Sequence, residues 1–165
     1  MKGEKTITTR PLRLEDAAFL CSIFKDNKEY YEIFFDAGNT LSEWDNRVMR
    51  FLNQDEVSHF IIEVNGTAIG WISFSDLEPD ERELCILVIN KGNLRYGYGT
   101  QSLSWLIEKS KADNIRRLLL NVNQSNSRAI QFYQKIGFEI FAEEIVPECN
   151  EAVILAQFKM RLFLT

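Results

Sequence analysis

One unit in this chain narrows its fold more than any other. ERELCILVIN, residues 81–90, is apolar and β-rich, and KGNLRYGYG follows it with Gly97 and Gly99 one residue apart. From Gly99 to about Lys111, Leu103, Leu106 and Ile107 then recur on one side of a helix. A strand that runs through a glycine loop into a helix belongs in a sheet with that helix packed on its face. A helix N-terminus entered through glycines is also a ready anion site. Its backbone N–H groups point outward and the helix dipole favours negative charge.

The flanking sequence supplies the rest of a mixed α/β fold. The run ending at Pro11 reads as a short strand. LRLEDAAFLCSIFKDN predicts a helix from about 15 to 26, with Asp16 near its start and Phe19, Leu20, Ile23 and Phe24 at helical spacing. Thr40 and Glu43 form a T-x-x-E signature ahead of a second helix carrying Trp44, Val48, Phe51 and Leu52. Between these two helices lies KEYYEIFFDAGN, aromatic and acidic with weak periodicity.

HFIIEV and TAIGWISF, joined by Asn65-Gly66, predict a hairpin. RRLLLNVN is a continuous apolar strand. SNSRAIQFYQKI is a helix that stops at Gly137, and FEIFAEEIV and EAVILAQFKMRLFL are the closing strands. The expected order is β-α-α-β-β-β-α-β-α-β-β.

The 165 residues suit one domain over 1–165. A composition of 45% hydrophobic and 26% charged residues is ordinary for a soluble protein. No apolar run reaches the roughly 18 residues that span a bilayer, so no membrane partner is expected. The stretch MKGEKTITTRPLRLED has no apolar core of a signal peptide. Cys21, Cys85 and Cys149 are odd in number and lack a CxxC pair, which suits a reducing compartment and a cytoplasmic location. A net charge of −5 argues against nucleic acid as a partner and agrees with a cationic small molecule or peptide amine.

Spacing separates the anions that such a loop could take. A P-loop needs G-x-x-x-x-G-K-[ST]; Gly92 and Gly97 have its glycine spacing, but Tyr98 stands where the lysine must be. A dinucleotide fingerprint needs G-x-G-x-x-G and a downstream acid. Ser102 occupies the third glycine position, and the stretch from Arg117 to Asn121 has no acid. A plain strand–helix turn would also use glycine.

LRYGYG at 94–99 resembles the [QR]-x-x-G-x-[GA] pyrophosphate loop of the GNAT superfamily of acetyl-CoA-dependent N-acetyltransferases. It departs from the motif at Leu94, beside which lies Arg95. NSRAIQFYQKIGF at 126–138 resembles the family's next signature throughout. The resemblance runs from about Ile7 to the C-terminus and is strongest over 83–138. It implies a mostly antiparallel sheet of about seven strands flanked by about four helices. It implies acetyl-CoA as cofactor and a primary amine as acceptor, either a small molecule or antibiotic, or a protein N-terminus or lysine. A homodimer is compatible with it.

By the same resemblance, the main chain of Leu87, Val88 and Ile89 borders the thioester, and a bulge there turns an N–H toward its carbonyl. Leu94, Arg95, Tyr96, Gly97, Tyr98, Gly99 and Thr100 cradle the pyrophosphate. Asn126 caps the following helix near the cofactor, beside Ala129, and Tyr133 points at the thioester sulfur.

The chemistry then selects side chains. An alkyl ammonium, with a pKa of about 10, must lose a proton, and the leaving thiolate must gain one. Tyr133 is the candidate acid, although Ala129, Tyr133 and Ile136 also share a face that could simply pack. Glu83 is the candidate base; a solvated hairpin end formed by Glu81, Arg82 and Glu83 is the competing reading. Glu143 and Glu144 are further acidic candidates. The one histidine, His59, sits at a strand start, where a surface or capping role outweighs catalysis. Glu29, Tyr30, Tyr31 and Phe34, with Glu32, Phe35 and Asp36 around them, could hold an ammonium by charge and cation–π contact, or could bury their rings in an ordinary helix pair. No His/Cys/Asp cluster has metal spacing, so no metal site is expected. Neither motif holds a cysteine, which favours direct transfer; Cys85 on the central strand keeps a covalent route open. The alternative from another class is a non-catalytic acyl-CoA-binding module, which the departure at Leu94 mildly favours.

Overall fold

The computed structural model describes residues 5–26, 52–147 and 154–165. Seven strands form one sheet: β1 (Ile7–Pro11), β2 (Val57–Val64), β3 (Thr67–Glu78), β4 (Glu81–Ile89), β5 (Arg117–Asn123), β6 (Glu139–Pro147) and β7 (Ile154–Phe163). Their spatial order is β1-β2-β3-β4-β5-β7-β6. Every neighbouring pair is antiparallel except β4 and β5. Three helices join them among the described residues: α1 (Ala17–Asp26), α2 (Tyr98–Ala112) and α3 (Ser127–Ile136). The helix expected behind Thr40 lies outside the described residues except at its end. None of the described helices is long and apolar enough to cross a membrane.

Local chemistry sets most boundaries. Asn65 and Gly66 join β2 to β3 with φ of 52° and 76°. Two positive φ values in a two-residue loop match the strand twist, and Asn-Gly is the pair that adopts them most readily. Gly97 precedes α2 with φ 78°, and Gly137 ends α3 with φ 119°. The Asn126 side chain accepts a hydrogen bond from the Ala129 N–H at 3.2 Å and so caps α3.

The sheet buries both faces of its first half. Ile62, Ile72, Phe74, Leu84, Leu118 and Met160 form one core with Leu103 and Leu106 of α2, and α3 packs onto its margin through Ile130, Phe132 and Ile136. Leu20 and Ile23 of α1 cover Ile61, Trp71 and Val88 on the opposite face.

Two irregularities in β4 place the site. Phe74 pairs with Leu84 and Ser73 with Ile86, so Cys85 has no partner on β3. This extra residue reverses the alternation of the strand. Leu84, Leu87 and Ile89 consequently join the α2/α3 core, whereas Ile86 and Val88 join the α1 core. The bulge therefore falls at Cys85 and not at Leu87–Ile89, where it was expected. The second irregularity is the parallel ladder, which pairs Glu81 with Arg117, Arg82 with Leu118 and Glu83 with Leu119, then stops. Beyond Glu83 the two strands part.

Candidate active site

A cavity of about 240 Å³ lies between the end of β4 and the N-terminal parts of α2 and α3. Leu87 and Ile89 form the strand wall. Leu94, Arg95, Gly97, Tyr98, Gly99 and Thr100 form the loop and the first turn of α2, and Arg128, Ala129, Phe132 and Tyr133 close the α3 side. The two motifs recognised in the sequence thus meet at one cavity.

Its electrostatics suit an anion. The first intrahelical bond of α2 runs from the Gln101 N–H to the Gly97 carbonyl at 3.1 Å. Helix geometry therefore leaves the N–H groups of Tyr98, Gly99 and Thr100 without an intrahelical acceptor. They sit at the positive end of the helix dipole, and Arg95 and Arg128 add two guanidinium groups to the same lining. A Cβ placed on Gly97 would meet no atom within 4 Å, so the space against this backbone is open to a ligand.

Tyr133 both packs and faces the cavity. Its ring meets Phe132 and Phe138 edge-on at centroid distances of 5.2 and 5.7 Å. Its carbonyl accepts from the N–H groups of Gly137 and Phe138, which fixes the end of α3. The packing and catalytic readings of this residue are thus compatible.

Three expected cofactor residues lie outside the lining. Val88 turns to the α1 core because of the bulge. Tyr96 is 68% exposed and stacks on Tyr98 at 5.8 Å. Asn126 acts through its cap. Conversely, sequence reasoning missed Arg128 and Phe132. Arg128 lies inside the recognised helix motif at a position the motif leaves open, and its place in the first helical turn was the available signal. Phe132 precedes Tyr133 in the same motif and lies 3.6 Å from where a Gly99 Cβ would stand.

Glu83 occupies the other face of the sheet at the point where the strands part. It is half-buried, and Asn121 Nδ2–H donates to its Oε1 at 2.9 Å. Burial pushes its pKa above the usual carboxylate range; Lys159 and the Asn121 hydrogen bond oppose this, and Glu144 adds to it. The solvated hairpin end does not hold for its neighbour. Arg82 is buried, reaches Asp76 at 2.7 Å, Asp113 at 3.0 Å and Ser110 at 3.2 Å, and lies over the Phe74 ring.

Cys85 lies beside Glu83, and burial first, then the charge of Glu83, pushes its thiol pKa up. A raised thiol is a poor nucleophile at neutral pH, which disfavours a covalent route. His59 lies within β2, where Trp71 Nε1–H donates to its Nδ1 at 3.3 Å, away from the cavity lining. Glu144 pairs with Lys159 at 3.4 Å, and Glu143 is exposed on β6. Among the described residues no three His, Cys, Asp or Glu side chains are grouped to hold a metal. The acceptor-binding candidates Glu29, Tyr30, Tyr31 and Phe34 lie outside the described residues.

Comparison with known proteins agrees with this geometry. An uncharacterised N-acetyltransferase of Methanocaldococcus jannaschii is 28% identical over 143 residues, which cover 82% of this chain and 62% of that protein. The chain thus spans less than two thirds of that relative. Among solved structures, the spermidine N-acetyltransferase of Vibrio cholerae, in complex with CoA and spermine, superposes with a TM-score of 0.77 at 15% identity, covering 96% of each chain. The ribosomal-protein-S18-alanine N-acetyltransferase of Escherichia coli superposes with a TM-score of 0.72 at 18% identity, covering 97% of this chain and 95% of its own. At these identities the superpositions bear on the fold. The family model described as "Acetyltransferase (GNAT) family" matches residues 19–138. With both signature motifs on one cavity and a family match over most of its length, the chain belongs to the GNAT acetyltransferase family.

Proposed function

We propose that this protein transfers the acetyl group of acetyl-CoA directly to a primary amine, borne by a small molecule or by a peptide. The observation that carries this reading is the cavity beside the end of β4, lined by the first turn of α2, by Arg95 and Arg128 and by Tyr133. Bound acetyl-CoA supplies the acetyl group as a thioester. Gly97, Tyr98, Gly99 and Thr100 hold the pyrophosphate through main-chain N–H groups, with Arg95 and Arg128 as counter-charges. The main chain of β4 around Leu87–Ile89 is the source of N–H groups for the oxyanion, since these apolar side chains have none to offer.

Two side chains handle protons. Glu83, held above the usual carboxylate range by burial, takes the proton that an alkylammonium carries at neutral pH. Tyr133 supplies its phenolic proton to the leaving thiolate. The net charge of −5 agrees with a cationic acceptor. The structural neighbours are named for a polyamine and for a protein alanine, so both classes belong in the test.

The test is thiol release from acetyl-CoA with spermidine, spermine and a peptide beginning with alanine. Turnover on at least one amine, lost in Tyr133→Phe, is the expected result. CoA binding without turnover on a broader amine panel points instead to an acyl-CoA-binding module. A melting temperature that saturating CoA does not raise removes both readings.

A further inference from the structure

A row of polar side chains crosses the sheet on the face away from α2 and α3. Glu83 comes from β4, Asn121 from β5, Lys159 from β7 and Glu144 from β6. The ladder registers align them. Glu83 stands opposite Leu119, two residues before Asn121; Asn121 stands opposite Lys159; Lys159 stands opposite Ala142, two residues before Glu144. Two bonds join the row. Asn121 Nδ2–H donates to Glu83 Oε1 at 2.9 Å, and Lys159 Nζ lies 3.4 Å from Glu144 Oε2.

What matters is which partner each carboxylate has. Among the described residues no ion pair involves Glu83; its fixed partner is a neutral amide. Lys159, the cation on this row, is engaged by Glu144. Glu81 and Arg117, further back on the same face, pair with each other. Among the described residues, the Ser75 hydroxyl stands opposite Glu83 on β3 and contacts the Cys85 thiol at 3.6 Å.

This distinction decides whether a carboxylate can serve as a base. A cation against it would hold its proton affinity down. A single amide donor fixes the side chain and leaves the second oxygen open to a proton. We propose that Asn121 is the positioning residue of Glu83, and that Glu144, by engaging Lys159, limits the hold of that cation on the same carboxylate. This rests on the reading of Glu83 as the base. It adds the device that would keep a half-buried carboxylate both oriented and basic.

The test titrates the Glu83 carboxyl directly, by carbon NMR of the full chain labelled in its glutamate side chains, with Glu83→Gln assigning the signal. Asn121→Leu and Lys159→Met each raise its titration midpoint by about 0.5 to 1 pH unit, the size of one lost hydrogen bond or one nearby charge. Glu144→Gln lowers it by a similar amount, because it removes a negative charge and frees Lys159. The acidic limb of kcat/KM, measured with acetyl-CoA and whichever probe amine turns over, moves with the midpoint in each variant. Asn121 is exposed, and Asn121→Ala repeats the measurement should Asn121→Leu fold poorly. An unmoved midpoint in the Asn121, Lys159 and Glu144 variants overturns the proposal whatever the turnover. Wild-type turnover in Glu83→Gln overturns the base reading instead, and the titration midpoints tell the two failures apart.

Discussion

Glu83 stands opposite Leu119 in the last rung of the parallel ladder between β4 and β5. Beyond this rung the ladder ends, and Leu87 and Ile89, further along β4, line the cavity from the opposite face. The environment of Glu83 favours the protonated form, with burial the largest cause. The folded state therefore holds this proton more tightly than the unfolded chain. Glu83 costs no stability below the ordinary glutamate value; the cost enters as pH rises through the window up to the raised folded value, and it is complete above it. Glu83→Gln removes that cost and keeps an oxygen to accept from Asn121. The variant is expected to melt higher than wild type at about pH 8, with the difference closing toward about pH 4, while its kcat/KM falls about 10²- to 10⁴-fold. Thermal melts across pH and thiol-release kinetics check the two halves separately.

The two motif glycines are not equivalent. Gly97 has φ 78°, with open space where a Cβ would stand. Gly99 carries no positive φ, and its Cβ would make ordinary contact with the Phe132 ring at 3.6 Å. Gly97→Val forces a β-branched residue into left-handed backbone, at a cost of about 1–2 kcal/mol, on the wall of the cavity. CoA affinity is expected to fall about tenfold or more, and Gly99→Ala is expected to bind CoA nearly as wild type. Calorimetric titration with CoA separates them. Normal affinity in Gly97→Val would place the cofactor elsewhere.

Gly70 constrains the same cavity from behind. A Cβ there would stand 2.4 Å from the Val88 carbonyl oxygen and 2.8 Å from Ile89 Cδ1. The first of these is backbone and cannot turn aside, so β3 or β4 must move. Gly70→Ala is expected to cost about 1–3 kcal/mol of stability, the usual size of core overpacking. Because Ile89 is cavity wall, CoA affinity should fall along with it. Denaturant unfolding and CoA titration on the same preparation test both. An alanine variant as stable as wild type would mean that the two strands are not held this closely.

Local chemistry explains what could be read before the structure. Asn65-Gly66 announces the hairpin because few other pairs take two positive φ values. Asn126 and Gly137 bracket α3 because one caps and the other tolerates left-handed backbone. The strand–glycine–helix unit is legible for the same kind of reason. Features that need two strands at once were not legible. The bulge at Cys85 exists only as a register between β3 and β4, yet it decides that Leu87 and Ile89 face the cavity and Val88 does not. Arg82 reads as a solvated hairpin charge, and only the approach of Asp76 and α2 makes it a buried ion-pair centre. The Asn121–Glu83 bond joins residues brought together by the parallel ladder, and no sequence spacing encodes it.

Leu94 is the one departure from the pyrophosphate motif, and two arginines share its cavity lining. Leu94 packs against the α2/α3 core and lines the cavity, while Arg95 beside it and Arg128 across from it bring two guanidinium groups to the same lining. We propose that these arginines take the place of the polar group that a motif Gln or Arg would contribute. Two expectations follow from that division of labour. Leu94→Gln restores a polar group but gives up apolar packing, so CoA affinity should change by less than about threefold in either direction, or tighten. Arg128→Met keeps the aliphatic stem and removes the charge, so CoA affinity should fall about tenfold and lose part of its salt dependence. Titration with CoA at low and high salt measures both. If Arg128→Met binds CoA as wild type does at both salt concentrations, the counter-charge lies with Arg95 and the α2 N-terminus alone.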